Sequence, residues 1–172
     1  MNTIALIPDD IIENKIFFIR GKKVMLDRDL AVLYGVETRT LNQSVRRNKS
    51  RFPVDFMFHL KNQEMKIWMS QIVISKSEKK SLRRKPAAFT EQGVAMLSSV
   101  LRSKRAIQVN IQIIRTFTKL RELIATNKEL REKIEKMERT YDQQFQVVFE
   151  AIKQLLAPPA KPTRKIGFNI QS

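Results

Sequence analysis

Apolar residues near the N-terminus are spaced as in a β-hairpin that leads into a helix. The run Ile16–Ile19 favours a strand, and residues 24–26 can pair back with it across a turn formed by RGKK. Leu30, Leu33 and Tyr34 then recur at helical spacing, so they give a first helix one buried face.

The pattern predicts a second helix directly after the first. Asp27 would cap the first helix, Gly35 would end it in the left-handed conformation, and Thr38 would cap the second. Leu41 and Val45 are four residues apart and would face inward. The two helices and their tight turn make a predicted helix-turn-helix.

Shorter patterns complete the domain. Strands are expected at residues 54–60, with Val54, Phe56, Phe58 and Leu60 inward, and at residues 72–74 and 87–89. Helices should begin near Asn62, Thr90 and Ser103. In the last of these, one stripe should pack on the domain: Ile107, Ile111, Ile114, Phe117 and Leu120.

From Leu120 onward the apolar stripe narrows to a heptad repeat, which is typical of a two-stranded coiled coil. No helix breaker precedes Pro158, so we expect one continuous helix. The residues expected to hold a homodimer are Leu123, Asn127, Leu130, Ile134, Met137 and Tyr141. Asn127 would pair with its mate and disfavour slipped registers. Gln144 and Ala151 weaken the repeat, so an intramolecular amphipathic helix is the alternative.

The expected fold class is therefore α+β: a small domain with a helix-turn-helix and short β-strands, followed by a long C-terminal helix or coiled coil. The domain would span residues 12–120 and the coiled-coil helix residues 121–156. Residues 157–172 form a Pro-rich linker and basic tail, which is either disordered or docked on the domain or a protein partner.

The net charge of +16 points to a polyanionic partner. Residues 39–85 hold thirteen Lys or Arg against three acids, which is +10 of that total. Six of the basic residues lie in residues 75–86, a predicted loop that either meets backbone phosphates or is simply solvated.

The second helix of the pair displays side chains suited to a major groove, because Arg can grip guanine and Asn or Gln adenine. A solvated basic helix face is the alternative. The candidate DNA-binding residues of this helix and the turn after it are Arg39, Asn42, Gln43, Arg46, Arg47, Asn48, Lys49 and Arg51. Those of the loop are Lys79, Lys80, Arg83, Arg84 and Lys85.

Other chemistry lacks support in the sequence. There is no Cys, one His, no Gly-rich phosphate loop and no cluster of carboxylates in the basic region, so we expect no catalytic residues, metal or cofactor. No apolar run approaches the ~20 residues that span a bilayer, and no secretory signal is recognisable, so we expect no membrane partner and a cytoplasmic location.

Two segments closely resemble the KilA-N-type phage DNA-binding domain family: RGKKVMLDRDLAVLYGVETRTLNQSVRRNKSRFPVDFMFHL (20–60) and AFTEQGVAMLSSVLRSKRAIQVNIQIIRTF (88–117). The nearest branch is the N-terminal domain named after a phage sixth open reading frame, and the resemblance covers about residues 12–120. It implies a bacterial or phage origin, DNA binding, and an association with antirepressor-like or mobile-element proteins. Family members often carry a variable C-terminal domain, in place of which this chain has a helix and a short tail.

These observations predict a double-stranded DNA-binding protein that acts as a dimer, such as a regulator of transcription or of phage state. One alternative is an antirepressor-like protein that acts through protein contacts of its coiled coil and tail. Another is an RNA-binding protein, which would need exposed aromatic side chains for base stacking. Most Phe residues here fall at positions that the pattern predicts to be buried.

Overall fold

The structure, a computed structural model, describes residues 6–71, 84–138 and 149–154. A four-stranded antiparallel sheet has the order β1-β2-β4-β3, with β1 Ile16–Ile19, β2 Lys22–Leu26, β3 Met57–His59 and β4 Ala87–Thr90. The helices are α1 Asp9–Glu13, α2 Asp27–Tyr34, α3 Thr38–Arg47, α4 Asn62–Gln71, α5 Glu91–Val100, α6 Lys104–Thr126 and α7 Lys128–Glu138. A 3₁₀ turn, Lys49–Arg51, follows α3, and residues 149–154 are helical. The α+β fold class is confirmed.

The predicted hairpin between β1 and β2 is confirmed. Its two-residue turn, Arg20 and Gly21, has φ of 53° and 68°, the positive values that a type I′ turn requires at both positions. Arg20 is held there by Glu64, with Nε to Oε1 at 2.6 Å and Nη2 to Oε2 at 2.9 Å. Its guanidinium also lies 4.2 Å from the centre of the Phe58 ring.

The strand observed here, β3 Met57–His59, is shorter than the strand predicted for residues 54–60. The amides of Phe56 and Met57 both donate to the carbonyl of Pro53, which turns the chain before β3 begins. Val54 is therefore 78% exposed, although Phe58 and Leu60 are buried as predicted. The strand predicted at residues 72–74 lies outside the described residues.

The helix starting after Ser103 buries only the second half of the predicted stripe, because Phe117 and Leu120 are buried and Ile114 is half-buried against the core. Ile107 and Ile111 are about half exposed, whereas Asn110 and Thr116 are buried. Asn110 accepts a short hydrogen bond from the hydroxyl of Tyr34, so its polarity is used inside the protein. The buried residues of α6 are Ala106, Val109, Asn110, Ile113, Thr116, Phe117 and Leu120.

The prediction of one continuous helix to Pro158 is wrong. Asn127, with φ −99° and ψ 95°, separates α6 from α7. Its Oδ1 accepts a hydrogen bond from the amide of Leu130 at 3.0 Å, and the residue is exposed. A short amide side chain satisfies free backbone groups at the start of a helix, which is why Asn favours caps over helix interiors.

The described C-terminal residues pack on their own domain. The main core is the buried cluster that contains Leu30, Phe89 and Phe117. Leu123 and Leu130 are half-buried against it, and Phe149 and Ile152 are fully buried within it. These contacts are the ones expected from the intramolecular alternative. Three other predicted dimer contacts lie outside the described side chains: Ile134, Met137 and Tyr141. Residues 157–172 also lie outside the described residues.

Candidate nucleic-acid interface

The helices α2 and α3 are joined by a three-residue turn and are called here the helix pair, residues 27–47. Gly35 begins the turn with φ 70° and ψ 35°, and the amide of Val36 donates to the carbonyl of Ala31 at 3.0 Å. This geometry is a common left-handed helix ending, and it confirms the predicted role of Gly35.

Two predicted helix caps are corrected by the structure. Asp27 is the first residue of α2, and Leu26 occupies the cap position without a side-chain bond. Likewise α3 begins at Thr38, preceded by Glu37, which makes no side-chain cap bond. The acceptor atoms of Asp27 are used elsewhere: Oδ1 binds the amide of Arg28, and Oδ2 accepts from Asn42 of α3 at 2.7 Å.

The helix α3 is fixed to the protein on one side only. Leu41 is fully buried and Val45 is 4% exposed, so these two residues anchor the helix in the main core. The hydrogen bond between Asn42 and Asp27 adds a polar contact to α2. Together they hold α3 in one orientation with its other face in solvent.

Polar contacts behind α2 hold the helix pair to the rest of the domain. Tyr34 bonds Asn110 of α6, and burial raises the pKa of the Tyr34 hydroxyl, which therefore stays protonated. Asp29 accepts from Lys15 at 3.2 Å. Burial raises the pKa of Asp29, although the cation of Lys15 opposes that effect.

The exposed surface of α3 and the turn after it is strongly cationic. Residues 38–51 contain five Lys or Arg and no Asp or Glu. The exposed candidates here are Arg39, Gln43, Arg46, Arg47, Lys49 and Arg51. Within the described part of the chain, no carboxylate forms an ion pair with any of these cations. No ion pair within that part of the chain therefore neutralises this positive charge.

Two of the predicted candidates are only half-exposed and already have protein partners. The amide nitrogen of Asn42 donates to Asp27, and that of Asn48 donates to the carbonyl of Ser44 at 2.9 Å. These side chains shape α3 and its C-terminal end. Their contribution to a nucleic-acid contact stays a prediction.

The loop candidates are described only in part. Arg84 and Lys85 are exposed and precede Pro86, the residue before β4, whose carbonyl accepts from the amide of Leu60 just after β3. The structure therefore places them beside the edge strand β3. The candidates Lys79, Lys80 and Arg83 lie outside the described residues.

The structure adds one basic segment that the sequence pattern did not assign to the site, residues 99–105, which run from the last turn of α5 to the first turn of α6. The Nε of Arg105 donates to the carbonyl of Leu33 at 3.2 Å, and its side chain lies against Gly35. The sequence RSKR around the capping Ser103 is visibly basic. Its position beside the helix pair depends on contacts about seventy residues apart in sequence, which no local pattern reveals.

Other kinds of site have little support within the described residues. No group of three or more His, Asp or Glu there could hold a metal ion. The helices that the structure describes include none long and apolar enough to cross a membrane.

These features define the class of the protein, which is an α+β domain with a helix pair and a cationic surface helix. The chain belongs to the ORF6N domain family, whose model matches residues 14–100, from just before β1 to the end of α5. This is a phage-related domain, and the matched region contains the whole helix pair. Comparisons with curated proteins and with solved structures gave no match.

Proposed function

We propose that this protein binds double-stranded DNA by inserting α3 into the major groove, and that it is a phage-derived regulator acting as a dimer in the bacterial cytoplasm. The observation that carries the proposal is the cationic, acid-free face of α3, which is exposed while Leu41 and Val45 anchor the opposite side. The family resemblance to KilA-N-type DNA-binding domains supports the same function.

The dimensions of α3 fit this role. A ten-residue helix is about 15 Å long, and the major groove, about 12 Å wide, admits one α-helix. Arg39, Gln43 and Arg46 follow one another at spacings of four and three residues, so they share a face. The guanidinium groups can bind guanine bidentately, and the Gln43 amide can bind adenine.

Duplex DNA is a better fit than single-stranded RNA. Proteins that bind unpaired bases stack them on exposed aromatic rings. Among the described residues every Phe, Tyr and Trp is buried or half-buried. A duplex needs no such platform, because the base edges are read in the groove and the phosphates by cations.

The test is selection of preferred sequences from a randomised duplex library, followed by titration of each variant. Gln43→Ala and Arg46→Ala should each lower discrimination by about 1–3 kcal/mol. Replacing Lys79, Lys80, Arg83 and Arg84 together by Ala should weaken binding to all sequences alike, because phosphate contacts carry no base information.

The outcomes separate the alternatives. If the loop variant changes sequence preference and the α3 variants do not, the reading element has been assigned wrongly. If no duplex binds at low salt while single-stranded RNA does, the protein is an RNA binder. Failure to bind either nucleic acid would favour an antirepressor-like protein that acts through protein contacts.

A further inference from the structure

The segment Ser99–Arg105 is called here the basic turn. It carries three cations that play no part in the proposed insertion of α3 into the major groove. Arg102, Lys104 and Arg105 are all exposed, and residues 98–105 contain no acid. Among the described residues none of the three forms an ion pair. The basic turn is thus a second cationic surface, on elements distinct from the helix pair.

Two hydrogen bonds place the basic turn alongside α3. Beyond the C-terminal end of α3, Nη1 of Arg51 donates to Oγ of Ser99 at 3.1 Å. Before its N-terminal end, Nε of Arg105 donates to the carbonyl of Leu33 at 3.2 Å. The basic turn is therefore tethered near both ends of a helix only about 15 Å long.

The three cations differ in what the protein itself requires of them. Arg105 has an internal role, because it meets a carbonyl in the last turn of α2, where a cation is favourable, and it covers Gly35. Arg102 and Lys104 have no such contact within the described residues. Lys104 also occupies the first turn of α6, where the aligned peptide dipoles disfavour a cation.

We propose that Arg102 and Lys104 bind backbone phosphates of the same DNA duplex whose major groove α3 enters. The inference rests on the proposed function and extends it to a part of the molecule outside the ORF6N match, which ends at residue 100. Phosphate contacts flanking the groove set the depth and angle of a recognition helix without specifying sequence. Arg105 keeps the basic turn in place against α2.

The experiment compares full-length variants by fluorescence anisotropy on a labelled mixed-sequence duplex of about two helical turns (~21 base pairs) over a series of salt concentrations. Each phosphate contact contributes about −0.9 to the slope of log affinity against log salt, so Arg102→Ala with Lys104→Ala should flatten the slope by about 1.8 for each bound subunit, or about 3.6 for a dimer. Affinity should fall about equally for preferred and mixed sequences.

The matched control is Arg115→Ala with Arg131→Ala. These two residues are exposed cations on α6 and α7, and replacing them also lowers the net charge by two. Its slope should stay close to that of the wild type. The exchange Arg102→Lys with Lys104→Arg should keep the salt slope of the wild type, since counterion release depends on the charge that neutralises a phosphate and not on the side chain that carries it. Thermal unfolding of each variant identifies any that fail to fold.

The results distinguish this inference from the function on which it rests. If the wild type binds no duplex, the proposed DNA binding fails. If the wild type binds and the Arg102 and Lys104 variant has the slope of the control, DNA binding stands and the basic turn is overturned as a contact. The basic turn is likewise overturned if the charge-preserving exchange has the salt slope of the double Ala variant.

Discussion

The helices α3 and α7 are nearly equal in length but differ in how their charges are satisfied. Residues 38–47 of α3 carry three Arg and no acid, for a net charge of +3. Residues 128–138 of α7 carry four basic and four acidic residues, for a net charge of zero. In α7, Lys128 lies 4.0 Å from Glu132 and Lys133 lies 3.2 Å from Glu129.

The difference shows which surface carries uncompensated positive charge. Ion pairs four residues apart on one helix contribute only a few tenths of a kcal/mol, but they leave little uncompensated charge. The cations of α3 have no such neighbours within the described chain, so their mutual repulsion is relieved only by solvent, salt or an anion. The structure therefore separates a helix whose cations are unpaired within the described residues from a helix whose charges pair with one another.

The largest expected effect tests whether the C-terminal region belongs to the domain core. Phe149 is fully buried, and its ring centre lies 5.5 Å from that of Phe18. Phe149→Ala should lower the free energy of unfolding by about 3–5 kcal/mol, as measured by urea denaturation. Val54→Ala, at an exposed apolar site, is the control and should stay within about 0.5 kcal/mol of the wild type. Equal stability of the two variants would show that α3 and the C-terminal region do not share one core.

A smaller effect on stability is expected from a substitution at Asn127. Its sign differs between the two interpretations of this residue, as a helix cap or as a coiled-coil position. As the cap of α7, Asn127→Leu should lower stability by about 1 kcal/mol, because the amide of Leu130 loses its acceptor. In a coiled coil the same substitution would strengthen association and shift the oligomer state. Thermal unfolding with light scattering distinguishes them, and Asn127→Asp, which can still cap, is the control. A rise in both stability and mass would restore the coiled-coil prediction.

The smallest effect concerns a buried cation that, unlike those of α3, already has a protein partner. Lys153 is 3% exposed and lies 2.7 Å from Glu150. Burial lowers the pKa of Lys153 below its ordinary value of 10.5, although Glu150 opposes that effect. The folded state disfavours the charged form, so wild-type stability should rise as the pH rises through this lowered pKa towards 10.5.

Lys153→Met should therefore gain less than about 1 kcal/mol at neutral pH, because the Phe17 and Phe149 rings near the cation offset part of its desolvation. Urea denaturation at neutral pH and at about pH 10 measures the difference, which should shrink at the higher pH. A gap between wild type and variant that widens with pH would contradict the assigned direction.

Local patterns anticipated much of the region around α3. The hairpin, the end of α2 at Gly35 and the burial of Leu41 and Val45 all follow from residues within about ten positions of one another. Turn chemistry and helical periodicity act over that range. The acid-free charge of residues 38–51 was equally visible, since it needs no knowledge of contacts.

The C-terminal half was predicted less well because several of its residues have two plausible uses. Asn127 fits a coiled-coil position and a helix cap equally well by sequence, and the structure uses it as a cap. Ile107 and Ile111 continue the stripe of Phe117 and Leu120, but they stay about half exposed, whereas Asn110, which bonds Tyr34, is buried. Apolar periodicity counts side chains and takes no account of polar groups that are satisfied inside the core.

The sequence alone determined the fold class, the hairpin, the helix pair and the strong positive charge, because each depends on composition or on short-range geometry. Only the tertiary structure decided that Asn42 bonds Asp27, that α6 ends at Thr126, and that the basic turn lies beside α3. The end of α6 is a local cap at Asn127, one of two uses that the sequence left open. The contacts that hold the basic turn beside α3 join residues 48 and 72 positions apart. Chain folding brings such residues together, and no repeat or motif in the sequence records it.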